Sequence, residues 1–342
     1  MHKISSNVAL YRLLAANASS ALDERHFTNH CPMALCALAA MGANAMRLQV
    51  FFDEWKLSFK TITPHFDQII DQNSWPRYLG NIAAFGALRV YFEEWIEKSS
   101  VNTVLEQVFR QIPFAPASAA FHGMIRLAYG LEAEHNSEIA AGLAILVSGH
   151  LPINIALADR ALAASVEDGL AALSQCLNGV VPTGNSITTH LRAVVADPRF
   201  HAQLLTPPTN PDLINEMART AIALYWQTND FTALHMVTGL NATRSVFTHL
   251  PEVMAQQLLP DLWIAFCAAY ASIGAPPLTI DKNISTTHTS DSAAWSALHA
   301  LAITADNDHV IKMVYTCWRE NQRETSPLYY AAAARLVLHD NG

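Results

Sequence analysis

The sequence predicts an all-α protein, a globular bundle of many helices with no regular repeat and no Rossmann domain. Three observations carry this expectation. Apolar residues recur at helical spacing along most of the 342-residue chain, as in Phe85, Leu88, Tyr91, Phe92 and Trp95. Few segments alternate as strands do. Pro, Gly and N-cap residue types punctuate the periodic stretches. With 51% hydrophobic and 15% charged residues, the chain has ample material for a large interior and is not disordered by composition.

The elements follow in order. Val8 to Ala21 puts Leu10, Leu13 and Leu14 on one side, and Asp23-Glu24-Arg25 breaks the pattern. Thr28 and Asn29 are N-cap types and Pro32 suits a first turn, so a helix bearing Met33, Leu35, Leu38 and Met41 is expected to end at Gly42. Helices follow over 45–59, within 75–97 and over 101–111, before Pro113 and Pro116 interrupt. Ser118 to Glu134 and Asn136 to Val147 read as helices, Ala158 to Cys176 as an amphipathic one, and Gly179 to Gly184 as a loop. Ser186 to Leu205 is helical, up to the break at Pro207–Pro211. Leu213 to Gln227 is next. Thr228-Asn229-Asp230 then caps a helix over Phe231 to Leu250, Pro251 restarts one to Leu259, and Leu262 to Ile273 continues the series. The Pro-, Thr- and Ser-rich stretch 274–290 reads as a loop. The last helices are Asp291 to Thr304, Asp308 to Asn321 and Pro327 to Leu338. No fixed period relates them, which argues against a solenoid. The length exceeds the roughly 250–300 residues one core usually holds. We expect a single helical domain over 1–342, with a sub-division, if any, near 206–212.

Several function classes are disfavoured. The longest apolar run, Ile139 to Val147, falls short of the roughly 20 residues a membrane span needs. The N-terminus lacks an apolar signal core, so the expected location is cytoplasmic. Cys31, Cys36, Cys176, Cys267 and Cys317 are odd in number, scattered and without a CxxC, which disfavours a disulfide framework or a cysteine zinc site; they are expected as buried apolar residues. The formal net charge is −8 and the basic residues are scattered, which disfavours nucleic-acid binding. The compositional anomaly is the 15 histidines, set against 21 lysines and arginines together.

Four of those histidines sit in apolar helical stretches. His30 lies in Asn29–Leu35, His122 in Ala119–Arg126 beside Gly123, His235 in Leu234–Gly239, and His309 in Asp308–Met313, with Lys312 three residues on and on the same face. A lone histidine on such a face is most simply a satisfied core residue. Recurrence on four helices is what favours metal binding, because helical bundles build metal sites from inward side chains of facing helices. No HExxH or Glu-x-x-His pair supplies a familiar ligand spacing. Lys312 has apolar neighbours. Its stem can cover apolar surface while the ammonium reaches water. Alternatively it is a buried amine of depressed pKa, able to act as base or Schiff-base nucleophile. Such an amine can also take up carbon dioxide as a carbamate, the anionic oxygen ligand that the histidine set lacks.

These segments, together with Trp75-Pro76-Arg77-Tyr78-Leu79-Gly80 and Phe85-Gly86-Ala87-Leu88-Arg89, resemble the questin oxidase-like family, in order over about residues 28 to 318. The resemblance implies an oxygenase acting on anthraquinones and related aromatic polyketides, opening a ring by oxygen insertion or carbon–carbon cleavage. Some members are described as Baeyer–Villiger-type enzymes using NADPH. This chain has no GxGxxG after a strand, which favours a metal-dependent site with Fe(II) and leaves NADPH as the alternative cofactor.

The centre so implied has His30, His122, His235 and His309 as iron ligands and Lys312 as a carbamylated one, with Lys312 and His309 as catalytic groups. Phe121, Met124, Tyr129, Met236 and Trp295 are the expected substrate lining, and His26 and His299 are second-rank ligands. The partners would be an aromatic small molecule and dioxygen, with a homo-oligomer as the open assembly state. Tyr129 and Asn241 stand where the family pattern has further histidines, so the substrate itself is not carried over. Two competing readings remain. One is an NADPH-dependent Baeyer–Villiger-type monooxygenase whose histidines serve acid–base and orienting roles. The other is a non-enzymatic helical binder of an aromatic pigment, in which the four histidines need not converge.

Overall fold

A computed structural model describes residues 2–18, 22–23, 29–58, 61–62, 66–279 and 291–340. Sixteen α-helices carry most of the described residues. They are α1 (His2–Asn17), α2 (Cys31–Met41), α3 (Ala45–Ser58), α4 (Phe85–Lys98), α5 (Val101–Gln111), α6 (His122–Glu132), α7 (Asn136–Ser148) and α8 (Val166–Leu177). Then come α9 (Ile187–Ala196), α10 (Pro198–Gln203), α11 (Leu213–Thr228), α12 (Phe231–Phe247), α13 (Glu252–Ser272), α14 (Ser292–Thr304), α15 (Asp308–Arg323) and α16 (Pro327–Asp340). The fold is all-α, as expected from the sequence. The β-structure among the described residues amounts to Leu22–Asp23 paired antiparallel with Thr61–Ile62 and an isolated bridge between Leu162 and Thr206. No described helix is long and apolar enough to cross a membrane.

Seven helix starts among the described residues carry a side-chain cap. Ser100, Ser165, Ser186, Asp197, Asp230, Asp291 and Asn307 each accept a hydrogen bond from a backbone N–H of the turn they open, an interaction worth about 1 kcal/mol apiece. The expected helix over 118–134 starts later, at His122, because Ala119, Ala120 and Phe121 all adopt left-handed backbone, with φ of 50°, 57° and 69°. Ser186 to Leu205 is two helices, since Asp197 leaves helical geometry and caps α10, which Pro198 opens. The expected restart after Leu259 is absent. Helix α13 runs through Pro260, where buried apolar residues on both sides, from Met254 to Tyr270, hold the axis in spite of the missing N–H. The stretch from Ala158 to Cys176 turns helical only at Val166. Four cysteines are buried and free as expected, but Cys176 is exposed.

Helix α6 lies against α7 and α12, and α15 against α2, α12 and α16. Close approach of α6 to α7 depends on Gly142, where an added Cβ would fall 2.5 Å from Leu127 Cα. The same interface encloses an ion pair. Arg126 Nε and Nη2 donate to Glu138 Oε2 and Oε1 at 2.8 and 3.1 Å, with both side chains almost fully buried. Four helices in this packing, α2, α6, α12 and α15, bring their N-terminal turns to one point.

Candidate metal centre

That point carries all four expected histidines. His30 is the N-cap residue of α2, His122 opens α6, His235 stands one turn into α12, and His309 is the second residue of α15. The left-handed turn at 119–121 aims His122 inward, and Phe121, its last residue, packs on Gly239 of α12, where a Cβ would fall 2.9 Å from the ring. Three consecutive left-handed L-residues are costly, roughly 1–2 kcal/mol each. Strain of this kind gathers at functional sites and persists only where packing over-determines it.

The rings touch one another. His30 stacks on His122 with centroids 4.4 Å apart and meets His309 edge-on at 4.9 Å. His235 meets His122 at 4.8 Å and His309 at 5.5 Å. One nitrogen from each of His30, His122 and His309 lies within 4.8 Å of the other two. His235 joins through His122, Nε2 to Nε2, at 3.3 Å.

Hydrogen bonds fix which nitrogen carries the proton. His122 Nδ1–H donates to the Ala119 carbonyl and His235 Nδ1–H to the Phe231 carbonyl, both at 2.7 Å. His30 Nδ1–H donates to Asp308 Oδ2 at 2.8 Å, and His309 Nδ1 lies 3.4 Å from Asp308 Oδ1. Each Nδ1 is thus held by an oxygen, which leaves Nε2 as the lone-pair nitrogen of a neutral ring. The Nε2 atoms of His30 and His309 are buried and have no hydrogen-bond partner among the described residues. The rings are neutral because burial, the largest cause, disfavours their charged forms. His30 is lowered to about 4, with the Lys312 charge adding to burial and Asp308 opposing it. His122 and His235 fall well below the usual range, with neighbouring histidines adding to burial, and His309 is lowered by burial and then by Lys312.

Two neutral imidazoles whose lone pairs face each other at 3.3 Å have no proton to share. A cation resolves the conflict. Imidazole binds metals such as zinc at about 2.0–2.1 Å, so two nitrogens 3.3 Å apart suit neighbouring positions on one ion. The pattern of Nδ1 anchored and Nε2 presented is also how metal-bound histidines are oriented by the groups behind them. The residues present therefore fit a metal.

Asp308 joins this cluster although the sequence did not single it out. Besides holding His30, its Oδ2 pairs with the Lys312 ammonium at 2.7 Å. Burial opposes the Asp308 charge, but Lys312 and His30 overcome it and keep the carboxyl well below the ordinary range. Lys312 is itself lowered by burial, against the pull of Asp308. The i, i+4 spacing of an acid and a base on α15 was readable in the sequence.

The expected lining residues divide. Phe121, Met124 and Met236 are buried beside the ligand-bearing turns. Tyr129 is also buried but lies about 10 Å along α6 from His122 at helical rise, with its ring 6.0 Å from Tyr315. Asn241 accepts from Arg323 at 2.7 Å. Trp295 packs on Tyr330 and His299, and His299 on Trp318, which is about 13 Å along α15 from His309. His26 lies outside the described residues.

Fold and site together define an all-α protein whose helix N-termini gather a cluster of neutral histidines suited to a metal. The chain belongs to the questin oxidase-like family, whose sequence profile matches residues 27–227 and 208–317. A comparison with curated proteins finds no match.

Proposed function

We propose that the protein is an oxygenase of the questin oxidase-like kind that uses a non-haem iron held by His30, His122, His235 and His309 to oxidise or open a ring of an anthraquinone-like aromatic polyketide. The observation that carries this reading is the pair of facing lone pairs on His122 and His235, 3.3 Å apart, flanked by the orphaned Nε2 atoms of His30 and His309. Family membership supports the oxidoreductase class and the aromatic substrate. Imidazole with an oxygen anion suits iron, and a bound iron(II) would supply activation of dioxygen.

The chain's own residues do the rest. The Ala119 and Phe231 carbonyls and the Asp308 carboxylate keep the Nδ1 protons in place, so that Nε2 stays available. Phe121, Met124 and Met236 exclude water beside the ligands. Lys312 is the proposed carbamate: loss of a proton from the ammonium, eased by burial, frees the Nζ lone pair to add carbon dioxide, and a second proton leaves to water as the N–C bond forms. A carbamate keeps one N–H on Nζ, which can donate to Asp308 Oδ2 in place of the ammonium, and its new oxygens supply the anionic ligand. Uptake of isotopically labelled bicarbonate, read as a carbonyl signal absent in Lys312→Met, tests that assignment.

The test of function is dioxygen consumption with a panel of hydroxyanthraquinones, comparing chelated, iron(II)-loaded and zinc-loaded protein with and without NADPH. Turnover only with iron supports the proposal. Turnover by chelated protein with NADPH would replace it with the Baeyer–Villiger-type reading.

A further inference from the structure

The histidine cluster is not closed on every side. His122 and His235 are buried, whereas the His30 and His309 side chains keep part of their surface open to solvent. On that open side stands Phe231. Its ring centroid lies 4.5 Å from His235 and 4.8 Å from His309, so it touches one sealed and one open ring. Yet Phe231 is 53% exposed. An exposed phenylalanine is unremarkable by itself. This one is braced against two rings of a buried polar cluster while half its surface faces water, so it forms a solvent-facing wall beside the cluster.

The backbone makes this wall rigid. Phe231 is the first residue of α12, and the Asp230 carboxylate accepts from the N–H groups of Thr232 and Ala233. The Phe231 carbonyl holds His235 Nδ1–H at 2.7 Å. The Phe231 backbone is therefore tied to His235 across one helical turn. The other aromatic rings nearby are already covered: Trp55, whose centroid is 6.3 Å from His30, and Phe121, which is packed over Gly239.

We propose that Phe231 is the stacking residue of the site: its free face receives a flat, fused aromatic ring and sets which molecules reach the histidine centre. This deepens the functional reading above and rests on it for the class of substrate. Aromatic faces favour offset or edge contact with other rings, and a fused ring system offers a large face at little conformational cost. Aliphatic molecules of equal volume gain no such contact and are selected against.

The test is equilibrium binding of 1,8-dihydroxyanthraquinone to the full-length protein, in iron-loaded and chelated forms, for wild type, Phe231→Ala, Phe231→Leu and Phe231→Trp. Metal content of each variant is measured alongside. Stacking predicts that Ala and Leu both weaken binding by about tenfold, in line with the worth of one aromatic stacking contact. Trp should match or exceed wild type, and metal content should be unchanged throughout. Binding by Ala and Leu equal to wild type overturns the proposal. So does Leu binding as well as Phe, since filling rather than stacking would then suffice, and so does a wild type that binds no probe. Probe binding that depends on residue 231 in a protein that takes up no metal would sink the iron-oxygenase reading and leave the stacking role standing. Metal retained with indifferent 231 variants would do the reverse.

Discussion

His122 and His235 face each other Nε2 to Nε2 at 3.3 Å, and each has committed its Nδ1 proton to a backbone carbonyl. Two buried lone pairs so arranged repel until a cation lies between them. Metal binding should therefore stabilise the fold. An ion present at a hundred times its dissociation constant adds about 2.7 kcal/mol. Thermal unfolding of loaded and chelated protein checks this: the melting temperature should fall on chelation and recover when the ion is restored. An unchanged melting temperature would mean that the histidine pair is relaxed by other means.

Asp308 touches three groups of the centre, and its loss should be felt as lost metal affinity. In Asp308→Asn the amide oxygen still accepts from His30 Nδ1–H, but Lys312 Nζ loses its carboxylate partner. In Asp308→Ala both contacts go. Loss of a group that orients a metal-bound histidine costs about 10–100-fold in affinity, and the Ala variant should lie nearer the upper end. Competition with a chromophoric chelator measures it. Equal affinity in wild type and both variants would show that His30 needs no support from behind.

The left-handed turn makes a prediction of opposite sign. Glycine adopts positive φ without the Cβ penalty, so Ala120→Gly, at φ 57°, should gain about 1 kcal/mol of stability from relieved strain. Set against that is roughly 0.5–1 kcal/mol from the greater freedom of the unfolded chain. We expect a net change near zero or slightly stabilising in denaturant melts. Ala128→Gly, in ordinary helical geometry within α6, should cost about 1 kcal/mol. Equal losses in the two variants would mean that the 119–121 turn carries no strain.

The Arg126–Glu138 pair holds α6, and with it His122, against α7. Removing one partner leaves a buried uncompensated charge. Arg126→Met alone and Glu138→Leu alone should each cost about 3–5 kcal/mol. The double variant should recover a large part of that loss, as read by urea denaturation. Additive losses would show that the two side chains act independently.

How much of this was legible in the sequence differs by residue. The four histidines were, because each stands in an apolar helical stretch where a polar ring needs a reason, and the reason became visible only when four recurred. Lys312 stood out for the same cause. Asp308 did not, because an acid in a first turn is ordinary helix chemistry; only tertiary packing brings His30 to it across 278 residues. The left-handed run at 119–121 was hidden because Ala-Ala-Phe contains none of the residues that favour positive φ. Phe231 was hidden because exposure beside a buried cluster is a property of the assembled helices. Trp295 was expected in the lining, and its ring packs with Tyr330 and His299, a contact set by the pairing of α14 with α16.

Iron binding by the four histidines is tested by metal analysis of freshly purified full-length protein, with His122→Ala and His235→Ala prepared alongside. Near-stoichiometric iron is expected in the wild type, as purified or after anaerobic reconstitution with iron(II), and its loss in both variants. A wild type that takes up no metal under either condition, or variants that hold as much iron as the wild type, would contradict it.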